Sequence, residues 1–363
     1  MKIDLIAGTR PNFVKIVAII HAIETYGPHI KYRFIHTGQH YDKNLSGNFF
    51  KDLEIPSPEI NLQVGSGSQA EQTGAIMLAY ENLLRKEKSD ICLVVGDVTS
   101  SMACAITAKK MGLKIVHVEA GLRSYDWSMP EEINRILIDS ITDYFFTTTL
   151  QASENLFKTG KNKEQVFFVG NTMIDTLLRF KTKFQKPEIW DRLDLKKGNY
   201  LILTLHRPAN VDEEKQLKGT INCILEISNN LPVIFPVHPR TKAIIKSLNF
   251  KNEKLFLIEP LGYLHFNYLV ANAKAVLTDS GGITEETTVL NVPCITLREN
   301  TERPETIELG TNILAGTQAK AIKKTLEKLF SDPKLKTTKV PDLWDGNAGK
   351  RIVSILSGKD FSF

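Results

Sequence analysis

Between Ile91 and Glu119 the chain reads as a strand, a helix and a second strand, and each strand hands over to an acid. The apolar run Ile91 to Val95 is too short and too β-branched for a helix, and it stops at Gly96-Asp97. Ser100 to Met111 then carries small and apolar residues at helical spacing, and Lys114 to Val118 alternates as a strand that delivers Glu119. A βαβ crossover is right-handed almost without exception. Both carboxylates therefore emerge on the same rim of a parallel sheet, the rim where open α/β sheets bind ligands. A third acid, Glu131, lies just beyond. Three ionised carboxylates on one crevice repel one another, a cost expected where acid/base chemistry uses it.

The same grammar precedes this unit. Ile3 to Ala7 is a buried strand, and Gly8-Thr9-Arg10-Pro11-Asn12 turns into a helix expected over 13–26. A glycine turn at a helix start is an anion site, to which Arg10 and Lys15 add positive charge; a plain βα turn with a solvated arginine is the simpler alternative. Tyr32 to His36 is the next strand, with His36 and His40 within reach of a ligand and one of them expected to pack instead. Glu59 to Val64 reads as another strand and Gln69 to Lys86 as an amphipathic helix. Ser128 and Glu131 have capping-box spacing, so Glu131 has a purely structural alternative, and Glu132 reads as an ordinary first-turn acid. The strands 145–148 and 166–169 and a helix over 173–184 close the first half.

The grammar then restarts. Tyr200 to Leu205 ends in His206-Arg207-Pro208, and a helix is expected from Asp212 to about Asn230. The strand 231–237 ends in His238, the strand 255–258 in Glu259-Pro260-Leu261, and Ala275 to Thr278 in Asp279-Ser280-Gly281-Gly282. The Ser-Gly-Gly turn repeats the phosphate-cradle logic, and Glu286 is placed for the hydroxyls of a ribose or is simply a first-turn acid. Arg298 to Glu305 is a dense charged loop directly after a strand, in which Arg303 is a candidate phosphate contact. The expected fold is therefore α/β, with two Rossmann-like domains facing each other across a cleft: 1–180 carrying the carboxylates, 181–345 binding the anion, and 346–363 a terminal helix that packs back across the boundary.

Composition narrows the function classes. At 363 residues the chain exceeds what one core supports. A net charge of +5, spread rather than blocked, argues against a nucleic-acid arm and permits an anionic small substrate. Cys92, Cys104, Cys223 and Cys294 sit in apolar segments with no CxxC pairing and read as buried thiols, not as a metal site. No apolar run reaches membrane length and the opening strand is too short for a signal peptide, so a cytoplasmic location without membrane contact is expected.

With these positions placed, the chain resembles the non-hydrolysing UDP-N-acetylglucosamine 2-epimerases, which adopt the GT-B fold. The motifs GTRP with Lys15, HTGQHYD, VVGDV, HVEAGLRS, MPEEINR, HRP after a strand, PVH, LTDSGG with Glu286, and TERPE occur in the family's order. The resemblance implies interconversion of UDP-GlcNAc and UDP-ManNAc for surface polysaccharide synthesis, with no cofactor and no metal, in a homodimer. It implies that Asp97, Glu119 and Glu131 supply the proton-transfer and sugar-orienting carboxylates and that His206 helps UDP leave. It further implies that Arg10, Ser280, Gly281, Gly282 and Arg303 hold UDP, aided by Lys15 and His238. Glu286 would bind the ribose, and Leu261 and Phe266 would line the uracil. Asn12 and Thr284 stand where many members have Glu and Gln, which leaves room for a related sugar such as UDP-2,3-diacetamido-glucuronic acid; a GT-B glycosyltransferase is the alternative of a different class.

Overall fold

A computed structural model describes residues 1–38, 49–228, 230–237, 239–248, 250, 252–331 and 338–358. The chain divides into two compact units, Met1–Phe180 with Asp342–Phe363, and Lys181–Pro341.

The first unit is built on seven strands: β1 (Lys2–Ala7), β2 (Lys31–His36), β3 (Ile60–Asn61), β4 (Ile91–Val95), β5 (Lys114–Val118), β6 (Tyr144–Thr147) and β7 (Val166–Phe168). They pair in the order β3-β2-β1-β4-β5-β6-β7, each pairing parallel. Parallel strands are covered by helices on both faces, so their sequences run continuously apolar instead of alternating. β4, Ile-Cys-Leu-Val-Val, is buried at every position. The strand order reverses at β1, whose neighbours are β2 and β4, and this switch point is where the carboxyl ends diverge and open a crevice.

The second unit repeats the plan with six strands: β8 (Leu201–Thr204), β9 (Val233–Pro236), β10 (Leu255–Ile258), β11 (Ala275–Thr278), β12 (Cys294–Thr296) and β13 (Asn312–Leu314). Their order is β10-β9-β8-β11-β12-β13, again parallel, with the reversal at β8. His206 follows β8 and Asp279 follows β11, so this switch point too carries polar groups.

The helix Ala348–Gly358 belongs to the first unit, where it packs on the helices Arg10–Tyr26 and Thr172–Phe180. Its free N–H groups have a partner from elsewhere in the chain: the Asp175 carboxylate accepts from Ala348 at 3.1 Å and from Gly349 at 2.7 Å, as a cap does. Trp344 is buried beside it and donates its indole N–H to the Thr148 carbonyl at 3.1 Å.

Several expected elements are shorter or shifted. The strand expected over 59–64 pairs only at Ile60–Asn61, because Gln63 adopts a left-handed φ of 56° and breaks the ladder. The helix expected over 173–184 ends at Phe180 and tightens into a 3₁₀ turn, Lys181–Lys183. The helix expected from Asp212 to about Asn230 runs Glu214–Ile227, and a separate short helix, Pro208–Val211, precedes it. The charged run after β12 becomes helical at Pro304, with proline in the first turn, where its missing N–H costs nothing. All four cysteines are buried thiols. Gln39 to Asp42, including His40, and His238 lie outside the described residues.

Candidate active site

At the switch point of the first sheet the helix Arg10–Tyr26 starts one residue after the Gly8-Thr9 turn. Asn12 ties that start to β4: its amide donates to the Val95 carbonyl at 2.8 Å, while its oxygen accepts from the Thr9 N–H at 3.2 Å and the Thr9 hydroxyl at 3.0 Å. One turn on, Lys15 is buried and its ammonium meets the Glu119 carboxylate, also buried. Gly96 closes this cluster. Its φ is +64°, and a Cβ there would lie 3.1 Å from Glu119 Oε2 and 3.4 Å from Lys15 Nζ. A side chain there would be strained by the left-handed backbone and would press the Glu119 carboxylate aside by a few tenths of an ångström. Glu119 itself has φ +68°, a left-handed conformation rare outside glycine that costs on the order of 1–3 kcal/mol and persists where the surroundings over-determine it.

The second acid is held from the helix Pro130–Ile141. Arg135 Nε sits 2.8 Å from Asp97 Oδ2, and Asn134 donates to the Asp97 carbonyl at 2.8 Å. The repulsion expected among the acids is thus relieved pairwise, with Lys15 on Glu119 and Arg135 on Asp97. Glu131 lies in the first turn of the same helix and is half-buried. The capping-box alternative for it is not realised: Met129 is the N-cap, and the Ser128 hydroxyl donates instead to Asp126 at 2.6 Å. The structural acid of this turn is its neighbour. Glu132 is fully buried, pairs with Arg135, and accepts from the N–H groups of Ser124 at 2.9 Å and Tyr125 at 3.0 Å. It fixes the loop between Glu119 and Glu131, a role that sequence reasoning missed because an acid in a helix's first turn is ordinarily solvated.

Arg10 occupies the first helical position and stacks its guanidinium 4.9 Å above the Phe49 ring. Burial lowers its pKa, and Asp52 partly offsets that. His36 is the packing histidine, buried and stacked on Phe13 at 5.1 Å.

In the second unit Asp279 is the organising group. Fully buried at the end of β11, it accepts from the backbone N–H of His206 at 3.0 Å and of Arg207 at 2.9 Å, from Asn210 Nδ2 at 3.0 Å, and from His206 Nδ1 at 2.7 Å. Burial alone would raise its pKa, yet the bonds to His206, Arg207 and Asn210 outweigh it and hold the carboxyl below its ordinary value. Sequence analysis placed this residue in a turn and gave it no role; its position directly before Ser-Gly-Gly was the available signal.

The helix after β11 starts at Gly281, with Ser280 as N-cap. The Ser280 and Gly281-Gly282 turn therefore presents its N–H groups at the helix start, as an anion cradle requires. A Cβ on Gly281 would lie 2.5 Å from Glu302 Oε1, so the charged segment after β12 closes tightly on this turn. There Arg298 pairs with Glu302 at 2.7 Å and Arg303 with Glu285 at 2.6 Å, all four buried. The early helix start also puts Glu286 in the second turn, which removes its reading as a first-turn acid. Burial pushes its pKa up to about 7, opposed by the 2.8 Å bond from the Tyr263 hydroxyl and reinforced by Glu285. Leu261 and Phe266 are partly buried at the edge of one apolar cluster together with Ile283.

Two doubly wound parallel sheets, one with a carboxylate rim and one with a glycine turn at a helix start beside buried arginines, define an α/β protein of the GT-B-like class. A family profile described as UDP-N-acetylglucosamine 2-epimerase matches residues 22–357, and the chain belongs to that family. The UDP-N-acetylglucosamine 2-epimerase of Methanocaldococcus jannaschii is 43% identical over 98% of this chain and 99% of its own. The crystal structure of the M. jannaschii enzyme in complex with UDP-GlcNAc and UDP superposes with a TM-score of 0.90 at 43% identity, covering 99% of this chain and 100% of that one. The UDP-2,3-diacetamido-2,3-dideoxy-D-glucuronate 2-epimerase of Pseudomonas aeruginosa is 38% identical over 87% of this chain and 88% of its own.

Proposed function

We propose that this protein interconverts UDP-GlcNAc and UDP-ManNAc without hydrolysis, by removing the C2 proton, eliminating UDP across C1–C2, and adding UDP back after C2 is reprotonated on its other face. The observation that carries this reading is the buried Glu119 carboxylate, held in a left-handed backbone conformation against Lys15. A C2 proton beside an acetamido group is very weakly acidic, so its removal needs a base fixed in place and stabilisation of the charge that develops on the departing UDP. Asp97, Glu119 and Glu131 supply the proton-transfer and sugar-orienting carboxylates. His206, with Nδ1 tied to Asp279, offers Nε2 to the diphosphate. Arg10, Lys15, Ser280, Gly281, Gly282 and Arg303 hold the UDP, Glu286 takes the ribose hydroxyls, and Leu261 and Phe266 flank the uracil. His238 completes the substrate set.

The preference for UDP-GlcNAc over the diacetamido-glucuronate sugar rests on the higher identity to the M. jannaschii relative and the fuller coverage. Incubation with UDP-GlcNAc in deuterated water should place deuterium at C2 of both sugars. Absence of both C2 exchange and UDP-ManNAc formation would sink the assignment.

No helix among the described residues is long and apolar enough to cross a membrane, and we place the enzyme in the cytoplasm, where it would supply a surface-polysaccharide precursor. We also read it as a homodimer. Leu78 is 65% exposed on the helix Gln69–Lys86, and Ile133 and Leu137 are about two-fifths exposed one turn apart on Pro130–Ile141. Light scattering on the purified enzyme decides that point.

A further inference from the structure

His117 and Asp139 have no part in the roles assigned above, yet both are almost wholly excluded from solvent, and between them they touch both acid-bearing turns. His117 Nδ1 lies 2.7 Å from Asp139 Oδ1, and its Nε2 lies 3.1 Å from the carbonyl oxygen of Gly96. A carbonyl oxygen can only accept. Burial alone would raise the Asp139 carboxyl, but His117 and Arg123 together hold it below the usual carboxylate range, so it too is an acceptor. Both ring nitrogens therefore face acceptors, an arrangement that a ring with hydrogen on both satisfies fully and a ring with hydrogen on one satisfies on one side only.

The other Asp139 oxygen is 2.7 Å from Arg123 Nη1 and accepts from the Gly121 N–H at 3.2 Å. One carboxylate thus grips residues 117 and 121, two before and two after the left-handed Glu119. Meanwhile the Nε2–H bond fixes the peptide that leads into Asp97, and Gly96 N in turn donates to the Val118 carbonyl at 2.9 Å. Beside the Lys15 pair and the bond from Ala120 N to the Phe146 carbonyl, this pair adds to the over-determination that a strained backbone requires.

We propose that His117 and Asp139 are positioning residues, a buried charged clamp that holds the Glu119 turn in its left-handed conformation and sets the Gly96-Asp97 peptide against it. The clamp acts through Glu119 and Asp97 and so rests on the catalytic roles given to them.

The test uses full-length Asp139→Asn, His117→Asn and His117→Gln, with Glu119→Gln as the reference. The clamp requires turnover and C2 exchange to fall together by about 10²-fold, while KM and the calorimetric affinity for UDP stay within about threefold of wild type. Ring ¹⁵N spectra should show hydrogen on both His117 nitrogens in the wild type and the loss of one in Asp139→Asn. If Asp139→Asn does not fold, the two His117 variants carry the kinetic test. Folded variants with near wild-type turnover would overturn the proposal, as would a wild-type ring with hydrogen on one nitrogen only. Full turnover in Glu119→Gln would overturn the role of Glu119 and with it the clamp's effect on catalysis, whereas the ring spectra judge the pair independently of that role.

Discussion

Asp279 grips the Nδ1 edge of His206 at 2.7 Å while 63% of the histidine side chain stays open to solvent. A buried carboxylate that only accepts fixes the tautomer with hydrogen on Nδ1 and points Nε2 outward. In Asp279→Asn the negative charge that holds the ring by its Nδ1–H and favours a second hydrogen on Nε2, the one a diphosphate could accept, is lost. We expect turnover to fall by about 10²-fold or more, with a much smaller change in KM, because the charge developing on departing UDP is felt more in the transition state than in the bound substrate. Steady-state kinetics in both directions check it.

Glu131 and Glu132 are neighbours with opposite assignments. Glu132→Gln removes one partner of the buried Arg135 pair and weakens the cradle for the 124–125 backbone, so we expect a loss of roughly 3–5 kcal/mol of stability. Glu131→Gln should leave the melting temperature within about a degree or two and lower turnover by about 10²–10⁴-fold. Thermal melts beside kinetics separate the two; a stable, fully active Glu131→Gln enzyme would remove Glu131 from the mechanism.

Lys15 and Glu119 form a buried pair, and breaking it from one side leaves a buried charge. Lys15→Met should therefore cost about 3 kcal/mol or more, whereas Lys15→Met with Glu119→Gln should recover most of that stability. Turnover stays lost in both. Denaturant titration of the four proteins completes the cycle.

Glu305 is buried with neither carboxylate oxygen hydrogen-bonded among the described residues, and burial pushes its pKa from 4.5 up to about 7. An acid whose folded pKa is raised holds its proton more tightly when folded, so it costs nothing below pH 4.5 and destabilises progressively as pH rises to about 7. Glu305→Gln should thus be the more stable protein at pH 8, by an amount of the order of 3 kcal/mol, and lose that advantage by pH 4.5. A series of melts from pH 4.5 to 8 shows whether the two curves converge at the acid end.

The α/β class and the polar residues at the ends of β4, β5, β8 and β11 were legible in the sequence, because a buried parallel strand must be a short apolar run and its carboxyl end is where such a run meets polar residues. Element ends were less so. Gln63 breaks its strand through a backbone angle that no side-chain pattern announces, and Gly281 enters its helix although glycine is a poor helix former.

What the chain's own order of residues determined is the list of acids, cations and glycine turns and the strands that carry them. The tertiary structure alone decided which carboxylates are enclosed by donors and which stay accessible: Glu132, Asp139 and Asp279 are buried in nets of N–H donors, while Asp97 remains partly open and Glu131 half-buried. The reason is that a carboxylate's role depends on the donors and the solvent around it, and those come from residues many positions away, as when Arg135 reaches Asp97 and Asn210 reaches Asp279. Periodicity along the chain carries no record of such distant partners.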